Sequence, residues 1–247
     1  MTALLAALLI GLSVATAAEP AADPWARVLS IAAGPTGEVA YGTLEAGERE
    51  RLERYLGNLA RQDVSRFERD RAVAFWLNAY HALALSALLH GEDPRTLEGR
   101  ARMYHWFTRP IGGRRRTLDE IRAKLNGYAS ADPRIHLAIW DGTRSGARLA
   151  AEPYQSGRLD AQLAAAARRF VNDPEKLRAP APGRLEASSV LSWYRSDFER
   201  EAGSLVEFLR PLVADPELRR RLATPPTEIV FLPYDWSMAA TAGEPAR

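Results

Sequence analysis

The chain has 247 residues, enough for one large domain or two small ones, and its composition, 47% hydrophobic and 26% charged, is that of a globular protein. A net charge of +2 gives no electrostatic case for nucleic acid or anionic lipid as a partner. The chain contains no cysteine, which excludes disulfides, a thiol nucleophile, a thiolate metal site and a lipidated N-terminal cysteine.

Residues 1–17, MTALLAALLIGLSVATA, read as a secretory signal peptide: Leu4–Val14 is its apolar stretch and Ala15-Thr16-Ala17 a small-residue cleavage site. The apolar run is shorter than the ~20 residues a bilayer span needs, so no stable membrane insertion is expected after its removal. The mature chain is therefore expected to be exported, to the periplasm or beyond. Residues 18–40 read as a linker and one short helix, and 41–240 as a single domain. In the linker region, Asp23 caps a helix through Ile31 with Pro24 in its first turn, and Gly34-Pro35-Thr36-Gly37 is a turn.

Thr43–Gln62 is an amphipathic helix with Leu52, Tyr55, Leu56 and Leu59 on one face. Arg71–His90 is apolar on both sides, Val73, Trp76, Leu77, Tyr80 and Leu83 on one stripe and Phe75, Ala82, Leu85 and Leu89 on another, the pattern of a central buried helix. Asn78 and His81 are spaced to share a face of that helix; they either bond to neighbouring backbone or line a pocket. Met103–Phe107 and Arg114–Thr117 flank Ile111-Gly112-Gly113 and read as a β-hairpin. Arg114–Arg116 read as its solvated tip, since no wider basic surface supports a nucleic-acid patch. Thr117 to Glu120 form a capping box for a helix to about Leu125.

The stretch Asp132–Ala150, DPRIHLAIWDGTRSGARLA, alternates Ile135, Leu137 and Ile139 with His136, Ala138 and Trp140, the period of a strand running into a turn at Asp141-Gly142. On such a strand His136 faces away from the isoleucines, toward the central helix near Asn78 or His81. Further on, Arg158–Asn172 is an amphipathic helix, Ala179–Gly183 a loop, and Leu185 to Ala187 a short strand. Ser189–Phe198, Leu205–Leu212 and Pro216–Leu222 read as helices and Glu228–Trp236 as a late strand. The fold expected is α+β: about eight helices around Arg71–His90, with a small mixed or antiparallel sheet from Met103–Phe107, Arg114–Thr117, Ile135–Trp140 and Glu228–Leu232.

Asp132, Pro133, Arg134, Ile135, His136 and Ala138 resemble the central motif of the family called domain of unknown function 547. Phe75, Trp76, Asn78 and Tyr80, Thr117 to Ile121, Gln162 and Leu163, Trp193 and Tyr194, and Tyr234, Asp235 and Trp236 also fit that resemblance. Against the family pattern this chain is a divergent member. Asp141 and Gly146 stand where two loop cysteines are usual, Arg122 and Ala123 where a Glu-His pair is usual, His81 for an Asn, and Ala239 for a late Asn. The resemblance implies a fold and a place for a site, not a reaction.

No metal-ligand spacing, P-loop, dinucleotide fingerprint or nucleophile elbow occurs, so no cofactor and no metal is expected. Two functions remain. One is an acid–base enzyme, hydrolase-like, with His136 carrying the proton and Asp141 orienting it beside Asn78 and His81. The other is a non-catalytic binding or structural module on the family fold, its partner a small molecule, peptide or protein. Five of these replaced polar positions, 122, 123, 141, 146 and 239, beside retained aromatics favour the second.

Overall fold

The computed structural model describes residues 23–34, 37–224, 226 and 228–239. Residues 1–17, expected as a signal peptide, and the centre of the turn expected at 34–37 lie outside them. The architecture is α+β, ten α-helices with a two-stranded and a three-stranded sheet among the described residues.

Local chemistry sets the helix starts. Asp23 accepts the Trp25 amide at 2.9 Å and Pro24 opens α1, Pro24–Ala32. Helix α2, Ala46–Ala60, lays Leu52, Leu56 and Leu59 inward. Helix α3, Arg69–Leu89, is buried continuously from Ala72 to Leu88, because it has no polar face to turn outward. It is long and apolar enough to span a bilayer, yet it is sheathed by protein, as a core helix is. Thr117 and Glu120 exchange their backbone and side-chain bonds at the start of α5, Leu118–Ala129, as the sequence leads one to expect.

Between α3 and α5 the structure departs from the hairpin expected at Met103–Phe107. Helix α4, Leu97–Ala101, runs into a π-helical turn, Arg102–Trp106, which the Phe107 amide closes onto the Arg102 carbonyl at 2.7 Å. The hairpin lies just beyond, β1 Arg109–Ile111 against β2 Arg114–Arg116. Gly112 and Gly113 supply the two positive φ angles, 58° and 82°, of its two-residue turn.

The strand expected at Ile135–Trp140 is absent. Asp132 accepts the Arg134 amide and Pro133 fixes the next φ, so Pro133–Leu137 is a 3-10 helix. Everything from Ile135 to Thr143 is buried, so the alternation of side chains reflects burial on all sides and not a sheet with two faces. This segment runs between two apolar cores: Ile135 and Trp140 join the core around α3, and Leu137 joins the second.

The second core is built by α6, Leu159–Val171, by the helices α7 Ser189–Trp193, α8 Arg195–Ala202 and α9 Leu205–Leu209, and by a mixed sheet. In that sheet β3, Leu177–Ala181, pairs antiparallel with β4, Arg184–Ser188, and β4 pairs parallel with β5, Glu228–Leu232. Residues 179–181, expected as loop, are thus strand. Helix α10, Pro216–Arg221, precedes β5. After β5 the chain is stitched onto the 142–145 loop: Ser145 donates to the Asp235 carbonyl, Arg144 to that of Ser237 and Ala239 to that of Gly142.

Candidate functional site

The four polar residues singled out in the sequence do not share a cleft. Asn78 fastens three pieces of chain together. Its carbonyl oxygen accepts from the Trp25 indole at 3.3 Å and the Tyr154 amide at 2.9 Å, and its amide donates to the Tyr154 carbonyl at 2.8 Å. His81 lies against the loop before Asp141. Its Nε2 accepts from the Trp140 amide at 3.1 Å, with the Ala138 carbonyl also 3.1 Å away. Burial pushes this imidazole down to about 4, so it is neutral at neutral pH.

His136 faces α8 rather than the central helix. The expected orientation fails because the 3-10 turn rotates the side chain away from α3. Its ring stacks on Tyr194 with centroids 3.6 Å apart, and Nε2 lies 2.9 Å from an Asp197 oxygen that belongs to a carboxylate also held by Arg200. Burial lowers the His136 pKa, and the Asp197 hydrogen bond offsets only part of it. The neutral ring therefore carries its proton on Nε2 and donates it to Asp197, which leaves Nδ1 buried without a partner.

Asp141 alone of the four lines an aromatic pocket of about 320 Å³. Gly142, at φ 85°, turns the chain immediately after it, and a Cβ there would fall 2.3 Å from Leu88. Each carboxylate oxygen is engaged. Thr143 donates its amide at 3.2 Å and its hydroxyl at 2.6 Å to Oδ1. Tyr234 donates at 2.8 Å to Oδ2, and Arg122 lies 3.5 Å from the same oxygen. Arg122 also donates to the Tyr80 hydroxyl. Arg122 and Asp141, two of the positions at which the sequence departs from the resemblance, thus pair with each other as guanidinium and carboxylate.

Gly146, the other replaced loop position, follows from this. Its backbone is not left-handed, yet a Cβ there would lie 2.4 Å from Asp141 Oδ1. Because Thr143 fixes that oxygen, only glycine leaves it room.

The pocket walls are aromatic. Trp193 stacks on Tyr234 at 4.9 Å, Tyr234 meets Trp236 at 4.4 Å, and Tyr104 meets Trp236 edge-on at 6.2 Å. Arg100 lies over the Trp236 ring, 4.7 Å from its centroid. Tyr104 and His105 come from the π-helical turn, and the His105 ring nitrogen Nδ1 meets an Asp119 carboxylate oxygen. The Tyr104 hydroxyl is buried with no partner among the described residues, and burial, with Asp141 nearby, raises its pKa well above the ordinary phenol range. Burial raises Tyr234 likewise, so both phenols stay protonated as donors.

Three large apolar side chains are exposed among the described residues: Leu97 at 78%, Trp106 at 65% and Trp193 at 52%. Leu97 and Trp193 line the pocket and Trp106 ends the π-helical turn beside it. The sequence placed Trp193 among the packing aromatics; half of its surface is in fact open. The tyrosines, Arg122 and the tryptophans of this pocket were not expected to form a site. The signal available was the opposite charge of the two replacements at 122 and 141. No group of three or more His, Asp or Glu side chains among the described residues is placed to hold a metal ion.

No curated protein and no solved structure matches the chain. The motifs around Trp193 and Trp236 lie beyond the stretch that a family model covers. That stretch, residues 64–171, contains α3, the hairpin, α5 and the Asp141 loop, and it matches the model of the family described as "Protein of unknown function, DUF547".

Proposed function

We propose that this chain is an exported, non-catalytic binding module that holds a small ligand in the aromatic pocket above Arg122 and Asp141. The observation that carries the reading is that two of the three exposed large apolar side chains among the described residues, Leu97 and Trp193, line this pocket beside Tyr234 and Trp236. Isolated exposed hydrophobes need no explanation, but a cluster around a concavity marks a binding surface. The volume, about 320 Å³, falls at the lower end of small-molecule sites, roughly 300–1,000 Å³.

The polar floor supports binding over catalysis. A general base needs a free lone pair directed at substrate, and a proton carrier needs a partner in reach. Asp141 accepts from Thr143, Tyr234 and Arg122, while His136 is turned to Asp197. Export rests on the signal-peptide pattern of residues 1–17.

The test is a fragment screen of the mature chain by ligand-observed NMR, run in parallel on Trp193→Ala, with turnover assays on peptide, ester and glycoside substrates. The expected result is hits that disappear in the variant and no turnover. Hits indifferent to Trp193, or turnover abolished by His136→Ala in a protein that still folds, would overturn the proposal.

A further inference from the structure

We infer that the ligand of this pocket is a neutral saccharide, with one face of a sugar ring laid on the Trp193–Tyr234 pair and its hydroxyls bonded to the polar floor. This rests on the pocket being a binding site, and it names the class of ligand.

Three features of the pocket converge on it. The first is shape: Trp193 stacks nearly parallel to Tyr234, 22° between planes, and half of Trp193 is open at the pocket mouth. A flat π-face that is left exposed suits a ligand with a flat C–H face. The second is charge. The lining carries two arginines, Arg122 against Asp141 at the floor and Arg100 at the rim, and two aspartates, Asp141 and Asp119, the latter bonded by His105. An anion would meet Asp141 and a cation would meet Arg122, so the pocket favours neither. The third is hydrogen-bonding capacity. The Asp141 oxygens are taken up within the protein, whereas Arg122 has N–H donors beyond the one nitrogen that bonds Tyr80 and Asp141, and the buried Tyr104 hydroxyl has no partner among the described residues. A ligand that presents donors and acceptors around an apolar face meets all three; in a neutral sugar every hydroxyl is both.

Other small ligands fit less well. A fatty chain would strand the ionic floor, and an aromatic acid would bring an uncompensated charge to Asp141.

The experiment is calorimetric and NMR titration of the mature chain with chitohexaose, cellohexaose, maltohexaose and xylohexaose. Oligogalacturonate and a short polyalanine peptide serve as charged and peptide probes. At least one neutral oligosaccharide should bind saturably. Trp193→Ala, a change at an exposed position that leaves the core intact, should weaken it about tenfold or more, and Trp193→Phe should keep most of the affinity. If none of the neutral sugars binds, the saccharide assignment is wrong. If only oligogalacturonate or the peptide binds, with the same dependence on Trp193, the saccharide assignment fails while the pocket stands as a binding site. Sugar binding that ignores Trp193 overturns both.

Discussion

At the scale of single residues, Asp141 separates a fastened polar group from a poised one. With Thr143, Tyr234 and Arg122 all donating to it, Asp141→Asn brings an amide N–H against donors in a buried site. The variant should lose about 1–3 kcal/mol in urea titration. Gly146→Ala should lose about 1–3 kcal/mol by overpacking against the carboxylate. In an Asp141→Ala background that penalty should nearly vanish, because the clash is with the Asp141 side chain; a double-mutant cycle on the four proteins reads the coupling. His81 gives a pH dependence. Its folded pKa, about 4, lies below the ordinary 6.5, so the unfolded chain binds the proton more readily. Its contribution is complete above pH 6.5 and is lost as pH falls toward 4, in all about 3 kcal/mol. Denaturation across that window should show the loss, and His81→Gln should flatten it.

At the scale of elements, the helices were legible in the sequence because their signals are local. Asp23-Pro24 starts α1, the Thr117–Glu120 box starts α5, and the unbroken apolar circumference of α3 marks it as central. What was not legible depended on contacts between distant segments. Ile135–Trp140 has strand periodicity but no strand to pair with, and the Trp140 amide goes instead to a histidine on α3. The β-like run Met103–Phe107 winds into a π-turn that packs Met103 and Tyr104 inward. β3, with Pro180 in it, reads as loop until β4 pairs with it. The central helix also carries the clearest stability expectation. Trp76 is 3% exposed and lies beneath Arg116, so Trp76→Ala should destabilise by about 3–5 kcal/mol in denaturant titration. A loss below about 1 kcal/mol would remove it from the core.

At the scale of the whole molecule, two apolar cores meet along the 133–143 segment, and the C-terminal stretch closes over that seam to bring Tyr234 and Trp236 to the pocket. The family resemblance was readable from short motifs, whereas the pocket was not, since its residues come from α4, the π-turn, α5, α7 and the C-terminal stretch. On export, a mature chain beginning at Ala18 or Glu19 should appear in intact-mass analysis, and retention of Met1 in exported protein would exclude the cleavage site. Six tryptophans sample the fold, and their indole N–H resonances give the most direct measurement of where a ligand sits. Trp193 and Trp236 line the pocket, whereas Trp25 reports on the separate cavity beside Asn78 through its bond to that side chain. In a two-dimensional nitrogen–proton titration with any ligand that binds saturably, the Trp193 and Trp236 indoles should move while Trp25 and Trp140 stay in place. Shifts centred on Trp25, with Trp193 and Trp236 unmoved, would contradict the assignment of the aromatic pocket as the functional site.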